Sequence, residues 1–109
     1  MNVSLYVWQR AAALAMAPMI VLHVALIFYA TRHGLTAADI LARTGGNIGW
    51  GAFYALFVLA ASIHGAIGIR NILAEWSPLH DRGAGIAALI VGLLLLGLGL
   101  RAVAAVTLP

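Results

Sequence analysis

The sequence contains no cysteine, which excludes disulfide staples, thiolate metal sites and iron–sulfur clusters ligated by the chain itself. Lysine is missing too: all six basic residues are arginine, set against three acids. Charged residues make up 8% of the 109 positions, hydrophobic residues 64%, and the mean hydropathy is +1.06. A water-soluble domain of this length needs far more charge to cover its surface, so the composition belongs to the membrane class. The basic excess forms no run or stripe able to follow a phosphate backbone, and no nucleic-acid partner is expected. No G-x-G-x-x-G turn opens a strand, which removes the usual dinucleotide fingerprint.

What is present is hydrocarbon in long runs. Three spans are expected, at about residues 8–29, 48–74 and 84–106, each near the ~20 residues that cross a bilayer core. The fold class is therefore all-α, a single three-helix membrane domain. Tyr6 and Trp8 at one end of the first span, and Phe28 and Tyr29 at the other, match an interfacial aromatic belt. Pro18 falls mid-span and should kink or loosen that helix, because it removes a backbone donor. The opening apolar stretch is too long for a signal peptide and lacks a basic leader, so it reads as a mature span beginning at Met1.

Residues 31–47 form the one long polar stretch. Thr36 ahead of Ala37-Ala38-Asp39 reads as an N-cap, with Gly45 and Gly46 ending a short surface helix over about 36–44. Ser77-Pro78 ends the second span, because the residue before proline is pushed out of the helical region. The sequence LHDRG then reads as a polar turn. This plan places Arg32, Arg43 and Arg101 on one side and Arg10, Arg70 and Arg82 on the other, a tie from which orientation cannot be read.

Polar groups inside lipid are costly, so the few present carry the functional signal. No carboxylate lies within a span core, which disfavours a proton-coupled transporter. The titratable groups there are His23 and His64. Small residues flank His64: Ala60, Ala61, Gly65 and Gly68 leave a shallow groove for a flat macrocycle or a partner helix. Imidazole serves equally as a metal ligand and as interhelical glue, and both readings stay open for each histidine. If Trp8 and Trp76 mark one interface, His23 lies 15 residues in and His64 12 residues in. At ~1.5 Å per residue these are depths of roughly 22 Å and 18 Å. Two histidines at different depths do not clamp one iron, which points to assembly with a second chain.

The run His64-Gly65-Ala66-Ile67-Gly68-Ile69-Arg70, continued through Glu75-Trp76, resembles a known signature. It is similar to the H-x-x-x-G-[IM]-R-x-x-x-x-[DE]-[YW] pattern in the membrane-anchor, cytochrome b subunits of succinate dehydrogenase and fumarate reductase. Gln9-Arg10 also resembles the opening of the smaller anchor. The resemblance implies half of a dimeric bundle that binds haem b and passes electrons between an iron–sulfur subunit and membrane quinone. His64 would ligate the haem nearer the iron–sulfur subunit and His23 a more distant one, with Gly68 giving room and Arg70 meeting a propionate. Arg10, Glu75, Trp76 and Ser77 would border the quinone. The chain departs from the pattern at Ala11, Ala12 and Ala13, where small polar neighbours are usual.

Further implications of the resemblance are flavoprotein and iron–sulfur partners, a second anchor chain (identical or different), and a multi-pass location in the inner, cytoplasmic membrane. Dicarboxylate chemistry would belong to the flavoprotein, leaving this chain a non-catalytic electron-transfer and anchoring part. The rival reading is a haem-free structural or assembly subunit in which both histidines act as glue.

Overall fold

The computed structural model describes residues 3–108. The reading of Met1 as the start of the first span lies outside those residues. Four helices follow in chain order: α1 (Val3–His33), α2 (Ala37–Thr44), α3 (Ile48–Trp76) and α4 (Asp81–Thr107). Three of them, α1, α3 and α4, are long and apolar enough to cross a bilayer, and the chain is an all-α, three-span membrane protein. Helices suit this setting because each backbone polar group is satisfied within its own segment, where no water can serve.

The helices overrun the hydrophobic stretches that mark them in the sequence. At 31 residues α1 is about 46 Å long by helical rise, close to the 48 Å long axis of the molecule. It continues as helix through Pro18. The LHDRG segment is not all turn either: Asp81, Arg82 and Gly83 form the first turn of α4. An acidic residue favours a helix start because it faces the positive end of the macrodipole. Ser77 ends α3 as read from sequence. Its amide donates to the Leu73 carbonyl at 3.2 Å, and its hydroxyl accepts from the Leu79 amide at 3.2 Å.

In the middle stands α3, packed against α1 on one side and α4 on the other. Glycines permit the second contact. A Cβ added at Gly92 would come within 3.0 Å of Ala66 Cβ, and one at Gly99 within 2.5 Å of Val58 Cγ1. Without a hydrophobic drive between helices in lipid, such close backbone approach is what packing rests on. Large apolar side chains point outward instead, as at Leu14, Leu93 and Leu98.

The surface helix α2 is built as its sequence suggests and is then tied down. Thr36 and Asp39 form a reciprocal capping box. Gly45 is the C-cap, and Gly46 turns the chain with a positive φ of 68°. Thr44 Oγ1 donates to the Val106 carbonyl, and the Gly46 amide donates to the Thr107 carbonyl at 2.7 Å. These bonds satisfy carbonyls that the end of α4 leaves without intrahelical donors.

Candidate functional site

Helical spacing puts Tyr54, Phe57, Ala61, His64 and Gly68 on one stripe of α3, three and four residues apart. That stripe faces α1. His23 of α1 meets the rings of Tyr54 and Phe57 edge-on, with centroids 6.0 and 5.5 Å away. A Cβ added at Gly68 would lie 3.7 Å from Gln9 Nε2. These two contacts fix an antiparallel register, and interpolating between them brings His64 level with Ala12 and Ala13.

The register also corrects the depths expected from the tryptophans. His23 is level with Tyr54 and Phe57, seven to ten residues from His64 on α3, an axial separation of about 10–15 Å. The sequence had placed the two histidines only about 4 Å apart in depth. The discrepancy arises because Trp8 and Trp76 do not mark one level: Gln9 sits opposite Gly68, eight residues short of Trp76. Two imidazoles so far apart cannot share an iron.

Both rings leave one nitrogen unsatisfied. Nδ1 of His23 and Nδ1 of His64 are buried without a hydrogen-bond partner, as is Gln9 Oε1. Each such atom costs about 1–3 kcal/mol relative to a satisfied one. Among the described residues, no three His, Asp or Glu groups converge as a metal-holding cluster. One ligand per iron from each of two chains needs no such cluster, so a lone imidazole at each level is a donor set that fits a haem held between chains.

Space is available at His23. Two contiguous apolar hollows, about 550 and 430 Å³, share His23, Ile40, Thr44 and Tyr54 in their walls. Trp50, Tyr29 and Arg43 extend the first. Phe57, Val58, Gly99 and Val103 extend the second, reaching across α3 to α4. These sizes lie in the range of cofactor sites, which are mostly apolar with a few placed polar groups. His64, the leading candidate in the sequence, lines neither hollow.

The remaining sequence candidates are less concentrated. Arg70 lies six residues from His64, about 9 Å along and about 120° around the helix. Its Nη1 is 3.5 Å from Asn71 Oδ1. Gly68 stands beneath His64 on the same stripe. At the end of the seam, Arg10 folds back on Tyr6, donating to its hydroxyl from Nε at 3.1 Å and Nη2 at 2.9 Å. Glu75 and Trp76 are exposed, Trp76 by 84%, and Ser77 Oγ is engaged with the Leu73 carbonyl. Arg10 sits near the level of Gly68, about 12 Å along the axis from Trp76, so the chain by itself does not gather these four residues around one point.

Two residues escaped the sequence reading. Gln9 had been noted only as the neighbour of Arg10, and its buried orphan oxygen becomes visible once the register is known. From sequence, Arg43 counts only as a charge of the surface helix on one side of the membrane. The fold carries it to the rim of the His23 hollow, where Nη2 donates to the Gly34 carbonyl at 2.9 Å and the guanidinium lies over the Tyr29 ring at 5.7 Å.

The pattern described as succinate dehydrogenase/fumarate reductase transmembrane subunit matches residues 1–100. No curated protein and no solved structure matches.

Proposed function

Because the chain belongs to the succinate dehydrogenase/fumarate reductase transmembrane-subunit family, we propose that it is the haem b-binding half of a two-chain anchor. In this reading His64 and His23 each give one axial ligand to a separate haem, and a second anchor chain gives the other. The single observation carrying it is that the two intramembrane histidines stand at separate levels of the α1–α3 seam, too far apart for one iron and placed to serve two.

With a histidine held from each of two chains, haem b would supply one-electron transfer rather than oxygen binding. The chain's own part is to hold and insulate. Tyr54 and Phe57 fix the plane of the His23 ring through their edges. Ala12, Ala13, Ala61 and Gly68 keep the seam thin around His64. Arg70 would reach a propionate, as the family signature implies. Arg10, Glu75, Trp76 and Ser77 would border the quinone at the α3–α4 end, completed by residues of the partner chains, since they do not converge alone. Electrons would enter there from an iron–sulfur subunit served by a flavoprotein, with the assembly seated in the inner, cytoplasmic membrane.

The test is a reduced-minus-oxidised spectrum of the complex purified with its native partners. Low-spin α and Soret bands are expected, with one spectral component lost in His64→Ala and a different one in His23→Ala. A colourless preparation that still assembles supports the haem-free anchor instead.

A further inference from the structure

The hollow over His23 is walled almost wholly by apolar side chains, and among its lining residues Arg43 is the only fixed charge. That guanidinium is held rather than free to wander. One of its five N–H donors goes to the Gly34 carbonyl, and its face rests on Tyr29. The Tyr29 ring is itself braced by His33, stacked at 4.1 Å with the planes 9° apart. The nearest acid along α2, Asp39, has Oδ2 occupied by the Thr36 amide and hydroxyl at 3.2 and 2.7 Å. Arg43 thus presents spare donors at the mouth of an apolar chamber that His23 also lines. A flat apolar body with an acidic edge suits such a chamber, its body against the apolar walls and His23 and its edge against Arg43.

We propose that Arg43 binds the carboxylate edge of the group seated over His23, a haem propionate. The inference rests on the reading of His23 as a haem ligand. Arginine suits the task because its planar fork meets a carboxylate with two parallel bonds and stays charged at every working pH. The arrangement also explains why α2 is tied to α4 through Thr44 and Gly46: the tie keeps the guanidinium over the chamber.

The experiment uses the intact membrane complex carrying Arg43→Gln, Arg43→Lys or His23→Ala, with a potentiometric titration of each haem, haem counted per chain and bound lipid counted by native mass spectrometry. A cation beside a haem favours the reduced state. Arg43→Gln is expected to shift the reduction equilibrium of the His23-dependent haem by roughly tenfold toward oxidised, the scale for one charge in a protein-like dielectric. For a one-electron couple, tenfold is about 59 mV. Arg43→Lys keeps the charge and should restore most of that shift, which a merely structural role for Arg43 would not do. The His64-dependent haem should stay within a few-fold of the parent.

If His23→Ala removes no haem, the ligation reading itself fails. If His23→Ala removes one haem but Arg43→Gln leaves its potential and occupancy unchanged, the ligation stands and the role of Arg43 is overturned. Loss of bound anionic lipid in Arg43→Gln, with the haem unaltered, also overturns it and assigns the guanidinium to a lipid headgroup.

Discussion

Two glycines of α4, two residues apart, should respond oppositely to the same substitution. A Cβ at Gly97 meets nothing within 4 Å, whereas at Gly99 it lies 2.5, 3.0 and 3.3 Å from three carbons of Val58. Replacing a helical glycine with alanine gains about 0.5–1 kcal/mol from reduced backbone freedom. At Gly97 that gain stands alone. At Gly99 overpacking costs about 1–3 kcal/mol, and Val58 cannot swing aside, because a β-branched side chain in a helix has one strongly preferred rotamer. Subtraction gives Gly97→Ala slightly more stable than the parent and Gly99→Ala less stable by roughly 0–2.5 kcal/mol. Reversible unfolding in a denaturing-detergent series measures both. Val58→Ala removes the opposing methyls, so the double variant should recover most of the loss, with a coupling of about 0.5–3 kcal/mol between residues in contact. Equal effects at Gly97 and Gly99, or no coupling to Val58, would refute the glycine-mediated packing of α3 on α4.

Other consequences concern the surface helix. Thr36→Ala removes the capping box and should destabilise α2 by about 1 kcal/mol, read as faster hydrogen exchange at residues 37–40. Bonds from the Thr36 hydroxyl and amide hold the Asp39 carboxyl below its ordinary value of 3.8. Since the folded value is depressed, the contribution is complete above the unfolded value and lost as pH falls through the folded one. Protection of the α2 amides, taken relative to their intrinsic exchange rate at each pH, should hold down to about pH 4 and fall only below it. Thr44→Val removes the donor to the Val106 carbonyl and should loosen α2 from the end of α4 by about 1 kcal/mol; exchange rising at both elements together checks it.

Much of the architecture was legible because hydrocarbon length and capping chemistry are local. Thr36, Gly45 and Ser77-Pro78 announce helix ends within a few residues of themselves. Inter-helix register is not local, so the Trp8–Trp76 alignment misled: aromatic residues tolerate a range of interfacial depths, and with Gln9 opposite Gly68, α3 runs about seven residues past the level of Trp8. Both histidines stood out because a titratable group in lipid is rare. The hollow at His23, by contrast, depends on α2 folding back over the bundle, which no spacing within α1 encodes. Arg43 was hidden for the same reason, twenty residues from His23 in sequence and at the same chamber in space. The residues proposed to border a quinone were suggested by family resemblance alone, and since Arg10 and Trp76 stand apart in this chain, a site built from them would need residues from partner chains.

Iron ligation by His23 and His64 is tested most directly by pulsed electron paramagnetic resonance on the oxidised complex, with ¹⁵N-histidine incorporated only into this chain. Ligation predicts nitrogen-15 hyperfine coupling to each low-spin ferric haem, one coupling vanishing in His64→Ala and the other in His23→Ala. Haem signals with no coupling to the labelled chain, or couplings indifferent to both substitutions, would contradict it.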